Sequence, residues 1–475
     1  MTFFSAEFAV FLTAVLWFLV MLPPRTALGV LLAGSCLFYG WHEPKYIWLL
    51  VSTSLADFCL AHYFSQFADA RRRSVGTGLS AVLNFGLLAY LKYTGFLPGS
   101  SIVSSGELVG SEPILGTALP LGISFYTFRR FAYVNEVLRN RLARCSSLAE
   151  FALYVSYFPQ VVAGPIEPPH SLLPQLQKLA SSRPDILVRL SRAILLFSEG
   201  WLRKAFADLL AAPVAAFYSG DPLHASGSQA LSAVVGFALQ IYGDFSGYSR
   251  MAQGVSHLLG VDLMDNFNLP YLATSMSEFW RCWHISLSTW IREYLHLPLS
   301  RRLLQLSGRR HRSGLQAASL VTTMSLVGLW HGASWNFALW GSLHGIFLML
   351  EQWWERPGRL RLPRSLARLA VLLLVVAAWV PFRASSLATT LDCYRALANP
   401  GWSRPEGSWF CGCLGILACD ALLYWSRKSR QEWQTWRWNL AVSSFAWLLV
   451  FCATWMLRGA GTAAVMRTEF IYSQF

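Results

Sequence analysis

The sequence predicts an all-α, multi-pass membrane protein. Three observations lead there. Only 13% of the 475 residues are charged, where a soluble domain carries about 25%. Hydrophobic residues make up 54% of the chain and the mean hydropathy is +0.40. Apolar runs of the roughly 20 residues that a helix needs to cross a bilayer recur along the whole length. Dividing the length by the size of a soluble domain is therefore meaningless. The chain reads as one transmembrane domain over 1–475, with N-terminal helices at 1–98, a core at 114–354 and C-terminal helices at 366–475.

Four spans come first: Phe3–Leu22, Thr26–Trp41, Tyr46–Tyr63 and Thr77–Phe96. The first has no basic segment before it and no small-residue cleavage site after it, so it reads as a retained span. Arg71, Arg72 and Arg73 follow the third span, which places that loop in the cytoplasm. Pro98–Pro113 then falls outside, consistent with its Glu107 and Glu112 and its lack of Lys or Arg. Pro120–Val134 returns inward onto Arg139, Arg141 and Arg144. Phe151–Pro169 is apolar, yet Pro159, Gly164, Pro165, Pro168 and Pro169 break it. Irregular backbone at membrane depth is tolerated only inside protein or along a cavity, so this segment, with Gln160 in it, reads as broken or re-entrant and beside a site. Asp185–Tyr218 is amphipathic and leads into a span, and Gln229–Tyr248 comes back. Arg301–Arg312 and Arg356–Arg368 hold five arginines each and belong in the cytoplasm. The 40 residues between them, Leu315–Trp354, suffice for an out-and-back hairpin with His331 in one arm and His344 in the other. Leu366–Val380, Ser408–Trp425 and Trp438–Leu457 complete a count of 10 to 12 spans.

Two histidine stretches carry the candidate chemistry. In Glu278–Leu299, read as one helix, Arg281, His284, Ser288 and Arg292 share a face, while Phe279, Trp283, Trp290 and Tyr294 take another. The pattern suits an interfacial helix with a solvated stripe or the wall of a cavity. In the second stretch, Gly328/Gly332 and Gly341/Gly345 are small-xxx-small pairs that let backbones approach closely. There Trp330 adjoins His331, Trp335 lies one turn beyond it, and Asn336 follows. An ionisable group at membrane depth marks a functional candidate, and a neutral imidazole suits general-base work. A packing histidine bonded to a neighbouring helix is the other reading. Asp244, flanked by Gly243 and Gly247, is either a cavity carboxylate or a turn former.

The remaining composition excludes rather than assigns. The net charge of +14 comes from short loops between apolar runs, so nucleic-acid binding is not expected. The nine cysteines are scattered, mostly within apolar runs, and read as buried free thiols. No metal-ligand spacing, phosphate loop, dinucleotide fingerprint or nucleophile elbow occurs.

Taken together, the motifs PLGISFYTF (Pro120–Phe128), YFPQVVAGPI (Tyr157–Ile166), YGDFSGYS (Tyr242–Ser249), Asn266–Leu295, LVGLWHGASWNFALWGSLHG (Leu326–Gly345) and FIYSQF (Phe470–Phe475) resemble the membrane-bound O-acyltransferases. Within that family the chain is similar to the bacterial branch of alginate O-acetylation and teichoic-acid D-alanylation. The resemblance implies a ring of helices with re-entrant segments around a central funnel or tunnel. His331 matches the deep histidine that acts on an acyl donor from the cytoplasmic side and a hydroxyl from the other. His284 matches a second polar position, His or Asn in the family, within Trp283-His284 to Trp290. Three positions depart from the family pattern: Arg250 stands for Asp, Cys282 for Arg and Arg129 for Gln.

The expectation is an O-acyltransferase of the bacterial inner membrane that moves acetyl groups to a secreted or envelope polysaccharide, alginate- or cellulose-like. His331 and His284 are the catalytic candidates. Asp244, Arg281, Ser288, Trp330, Trp335, Asn336 and Gln160 are candidate cavity or binding residues, and no metal is expected. No cofactor is tightly bound; the donor is acetyl-CoA or an acyl-carrier-protein thioester. Expected partners are a periplasmic or membrane-anchored acetyltransferase, the polysaccharide acceptor, an acyl carrier protein and the lipid bilayer. The rivals are a transporter, for which matching halves with broken helices are lacking, and a non-catalytic scaffold of a secretion complex.

Overall fold

The computed structural model describes residues 1–41, 44–93, 120, 122–307, 312–354, 362–405 and 407–428. The expected outer loop Pro98–Pro113, the span Trp438–Leu457 and the terminal motif Phe470–Phe475 lie outside these residues. All regular structure among the described residues is helical. Three helical stretches, Pro44–Phe64, Ala70–Tyr93 and Arg364–Arg383, are long and apolar enough to cross a bilayer, and Ala6–Met21 and Gly407–Leu422 are shorter apolar helices. The chain divides into two compact units, 1–197 with 251–264, and 198–250 with 265–475.

The first unit begins with α1 (Ala6–Met21), α2 (Ala27–Gly40), α3 (Ile47–Phe64) and α4 (Ala70–Ala81). A π-helical turn at Val82–Gly86 joins α4 to α5 (Leu87–Tyr93). A π turn shifts the side-chain register and often marks a special site. Here it carries Asn84, whose amide donates to Asp57 at 2.7 Å. Ser80 donates to the same carboxylate at 2.6 Å, and Arg130 Nε stands 3.8 Å from it. All four side chains are buried. Arg130 belongs to α6 (Ile123–Leu138), which is buried at every position but Ser124. A helix buried all round has no lipid- or water-facing stripe, so α6 forms the centre of this unit.

The broken segment is resolved as α7 (Leu148–Ser156), irregular turns through Gly164, and α8 (Pro169–Leu179). Side chains cap the start of α7: Ser147 accepts from the Glu150 amide, and the Glu150 carboxylate accepts from the Ser146 amide at 2.9 Å. Gln160 fastens the irregular turn. With its amide oriented to satisfy both neighbours, its oxygen accepts from Arg129 Nη1 at 2.7 Å and its nitrogen donates to the Pro165 carbonyl at 3.1 Å. Arg129, one of the three departures, thus replaces one amide-bonding side chain with a longer one and holds the proline-rich segment against α6.

Two long helices, α9 (Ile186–Ser219) and α10 (Gly227–Leu258), contribute residues to both units. The segment from Gly243 to Ser249 lies inside α10, so Asp244 is not a turn former. The reason is packing against α9. A Cβ on Gly247 would fall 2.6 Å from the Gly200 carbonyl oxygen, and one on Gly243 would fall 3.1 Å from that of Arg203. The two glycines serve helix contact rather than chain reversal.

The second unit continues with α11 (Met276–Cys282), α12 (Ile285–Ile291), a π turn at Arg292–His296 and α13 (Leu297–Ser307). Glu278–Leu299 is therefore not one helix, and Arg281 and His284 do not share a face. The hairpin is present as α14 (Arg312–His331) and α15 (Trp335–Trp354), with the reversal directly after His331. Its arms cross at their glycines. A Cβ on Gly328 would sit 2.0 Å from the Phe337 carbonyl oxygen, and one on Gly341 would sit 2.1 Å from that of Met324. Then come α16 (Arg364–Arg383), α17 (Leu387–Ala396) and α18 (Gly407–Lys428).

Candidate functional site

His284 sits at the break between α11 and α12. Its backbone is left-handed (φ 41°, ψ 56°), a conformation that costs a residue with a side chain free energy unless its surroundings enforce it. The enforcing element is the non-helical segment around Asn266. The Ile285 amide donates to the Asn266 carbonyl at 2.9 Å, and the Asn268 amide donates to the Cys282 carbonyl at 2.9 Å. The break thus exchanges helix hydrogen bonds for bonds to a chain segment 14 to 19 residues upstream. Ser288 closes the other side, its hydroxyl donating to the Trp283 carbonyl at 3.1 Å.

The same asparagine sets the state of the imidazole. Asn266 Oδ1 accepts from the Ser286 amide at 3.2 Å and from the Ser286 hydroxyl at 2.9 Å, and it lies 3.1 Å from His284 Nδ1. An oxygen bonded to an amide N–H is an acceptor, so Nδ1 carries the hydrogen and Nε2 presents a lone pair. Asn266 is held in turn by its own Nδ2, which donates to Ser249 at 3.2 Å. Phe245 meets the imidazole edge-on at 4.6 Å between centroids. His284 is buried.

His331 is the last residue of α14. It is buried at 5% exposure and walled by rings: Trp330 at 4.6 Å, Trp340 at 5.1 Å and 89°, and Phe382 at 5.1 Å. These contacts fix the plane of the imidazole. Trp340 stacks on Trp379 (5.8 Å, 23°), Trp379 packs on Trp283 at 4.9 Å, and Trp283 precedes His284. The two catalytic candidates are thus joined by one continuous run of indoles inside the second unit.

The other expected residues fall in different places. Trp330 touches His331, but Trp335 is 66% exposed at the start of α15 because the chain reverses between the two. Asn336 is buried and spends its amide on the Ala384 carbonyl, 2.7 Å away, which ties the start of α15 to the end of α16. Arg281 is exposed. Asp244 is buried and pairs with Lys204 Nζ at 2.9 Å, and Lys204 also bonds Asp208. Gln160 belongs to the first unit.

The buried charge around Asp244 extends further than the sequence reading went. Arg203 bonds Asp420 at 2.8 Å and Glu199 at 3.1 Å, and the Tyr242 hydroxyl donates to Asp420 at 2.8 Å. Arg250 reaches Asp265 at 2.8 Å and Glu199 at 3.4 Å. The departure at Arg250 therefore sits between two carboxylates that balance it. Lys204 and Arg203 had a local signal, since charged residues inside an apolar run with Glu199 and Asp208 four residues away are i,i+4 pairs. Asn266 had none.

The chain matches the membrane-bound O-acyltransferase family over residues 36–391, a stretch that includes His284, His331 and every candidate cavity residue. It is 34% identical over 393 residues to the probable alginate O-acetylase AlgI of Azotobacter vinelandii, covering 81% of this chain and 75% of that protein. It is 29% identical over 398 residues to the peptidoglycan O-acetyltransferase of Helicobacter pylori, covering 78% and 73%. It is 29% identical over 277 residues to the teichoic acid D-alanyltransferase of Streptococcus thermophilus, covering 56% and 65%. The multi-pass helical chain with its two ring-walled histidines belongs to the membrane-bound O-acyltransferase family and is an acyltransferase.

Proposed function

We propose that this protein is an O-acetyltransferase of the bacterial inner membrane, taking acetyl groups from a cytoplasmic thioester, acetyl-CoA or an acyl-carrier protein, for a secreted or envelope polysaccharide. The observation that carries the reading is the placement of His331: a buried imidazole held by three rings at the reversal of a glycine-crossed hairpin. The names of the similar proteins, alginate O-acetylase and peptidoglycan O-acetyltransferase, support the acetyl group and the polysaccharide class.

His331 is the general base. It takes the proton from the attacking hydroxyl as the oxygen adds to the thioester carbonyl, and the C–S bond breaks. The departing sulfur then takes that proton from the imidazolium, so one ester and one thiol leave and the histidine is neutral again. His284, with Nδ1–H on Asn266, offers Nε2 as an acceptor. That suits orienting a donor hydrogen of the substrate rather than steadying an oxyanion. Asp244, paired with Lys204, holds α10 to α9 and acts on geometry. A funnel between the helices would let the acyl group cross without the whole donor, and a periplasmic or membrane-anchored acetyltransferase partner would finish transfer to the polymer.

The test is base-released acetate from the surface polysaccharides of a deletion strain carrying wild-type or His331→Ala protein at equal membrane levels. Loss of the base removes about 10²–10⁴-fold in rate. A His331→Ala protein with near wild-type acetate release refutes the assignment.

A further inference from the structure

The proposed reaction leaves buried His344 unused. His344, on α15, is fully buried. Its ring stacks on Phe279 (6.1 Å, 13°) and meets Trp340 at 4.9 Å, Trp280 at 5.1 Å and Trp379 at 6.4 Å. Neither of its nitrogens has a hydrogen-bond partner among the described residues. The same holds for the indole Nε1 atoms of Trp280, Trp340 and Trp379. Five buried polar nitrogens therefore lie in one ring network with no group among the described residues to satisfy them.

Buried polar groups in native proteins are nearly always bonded, and an unbonded one carries its full desolvation cost. Five together point to a ligand. Its chemistry follows from theirs. An indole only donates, so three of the five require an acceptor atom. Among the described residues no charged side chain bonds to any of the five, so an anion would find donors but no counter-charge. The aromatic walls favour an apolar attachment. A carbonyl oxygen on a short apolar group meets all three conditions.

We propose that His344 and the indole N–H groups of Trp280, Trp340 and Trp379 form the seat of the acyl carbonyl oxygen. The proposal rests on the acyl-transfer reading above and adds the site that receives the reacting group. Trp340 is the shared wall: its ring contacts His331 at 5.1 Å and His344 at 4.9 Å. Donors already in place beside the base stabilise the charge that builds on the oxygen as the hydroxyl adds, without any reorganisation.

A purely structural His344 makes the opposite prediction from a carbonyl seat. Replacing an unsatisfied buried imidazole by an apolar side chain is neutral or stabilising. His344→Phe and His344→Leu should then fold and work normally if the residue only packs. The seat predicts that both accumulate in the membrane and melt in detergent at or above the wild-type temperature, yet lose acetate release on the order of 10²-fold, as expected for one lost oxyanion donor. His344→Gln, which keeps an N–H donor, should retain most of the activity. A folded Phe or Leu variant with wild-type acetate release overturns the proposal and assigns the nitrogens to a buried water. Failure of both apolar variants to accumulate also overturns it, because the imidazole nitrogens would then be bonded within the folded protein and not open to a ligand. The two readings fail separately. If wild-type protein releases no more acetate than the deletion strain, acyl transfer to the polymer is wrong and the seat falls with it. If wild type is active and His344→Leu equals it, only the seat is wrong.

Discussion

Asn266 Oδ1 lies 3.1 Å from His284 Nδ1 while accepting from both the backbone and the hydroxyl of Ser286. One amide oxygen thus fixes a catalytic candidate's tautomer and closes the helix break on which it sits. Asn266→Ala removes four side-chain hydrogen bonds and leaves buried donors unpaired, which costs about 1–3 kcal/mol for an unsatisfied group. The expected outcome is a lower melting temperature in detergent and a drop in acetate release at equal protein level. Asn266→Ala with wild-type melting and activity contradicts the role given to this residue.

The crossing of α14 and α15 predicts a sharp contrast between glycines. In Gly328→Ala and Gly341→Ala the new methyl group meets backbone carbonyls, which cannot rotate away. Overpacking of this kind costs about 1–3 kcal/mol or more, and His331 lies at the end of the displaced arm. Gly314, on the same helix, has nothing within 4 Å of an added Cβ. Gly314→Ala should be neutral or stabilise by about 0.5–1 kcal/mol through helix propensity. Thermal unfolding of the three variants checks the ordering.

Arg250 is balanced by Glu199 and Asp265. Arg250→Asp puts three carboxylates together and should lower stability. The double variant Arg250→Asp/Asp265→Arg restores opposite charges across the pair and should recover part of the loss. The coupling, read from a double-mutant cycle of melting temperatures, should be favourable. Additive losses contradict the pairing.

The start of α11 carries a pH signature. Ser275 accepts from the Glu278 amide at 3.0 Å, and the Glu278 carboxylate accepts from the Thr274 hydroxyl and amide at 2.6 Å each. Those hydrogen bonds, the hydroxyl's first, hold the Glu278 pKa below the usual 4.5. A carboxylate with a depressed folded-state pKa stabilises the fold above its unfolded value and loses that contribution as pH falls through the folded value. Between neutral pH and about 4.5 the contribution is intact, and it fades below. Glu278→Gln should therefore narrow its stability deficit relative to wild type as the pH is lowered below about 4.5. A deficit independent of pH in that range contradicts the capping role.

Much of this architecture was legible in the sequence because the signals were local. The five breakers in Phe151–Pro169 gave the irregular turn, and the paired glycines in Leu326–Gly345 gave the close hairpin. The break at His284 was not legible. Its residues keep helical periodicity from Glu278 to Leu299, and what interrupts them is a set of hydrogen bonds from Asn266 and Asn268. Asp244 misled for a related reason. Gly-Asp next to Gly is turn chemistry locally, and only the backbone of α9 against Gly243 and Gly247 makes it helix. Arg203 and Asp420 are 217 residues apart, so no pattern announces their pairing. Of the three indoles around His344, only Trp340, four residues before it, was near in sequence; the fold brought Trp280 and Trp379 to it.

The left-handed backbone at His284 bears on which residues evolution can try there. Asn, Asp and His are the non-glycine types most often found in that conformation, and β-branched or bulky residues pay heavily in it. The His-or-Asn alternation of the family motif is therefore filtered twice, once by the φ of 41° and once by chemistry. A saturation library at this position would separate the filters. Selection for folded protein alone should retain Gly, Asn, Asp and His, and selection for acyl transfer should then pick among those few. A narrow choice of residues at such a position overstates its chemical indispensability, because most of the excluded alternatives fail before any substrate arrives.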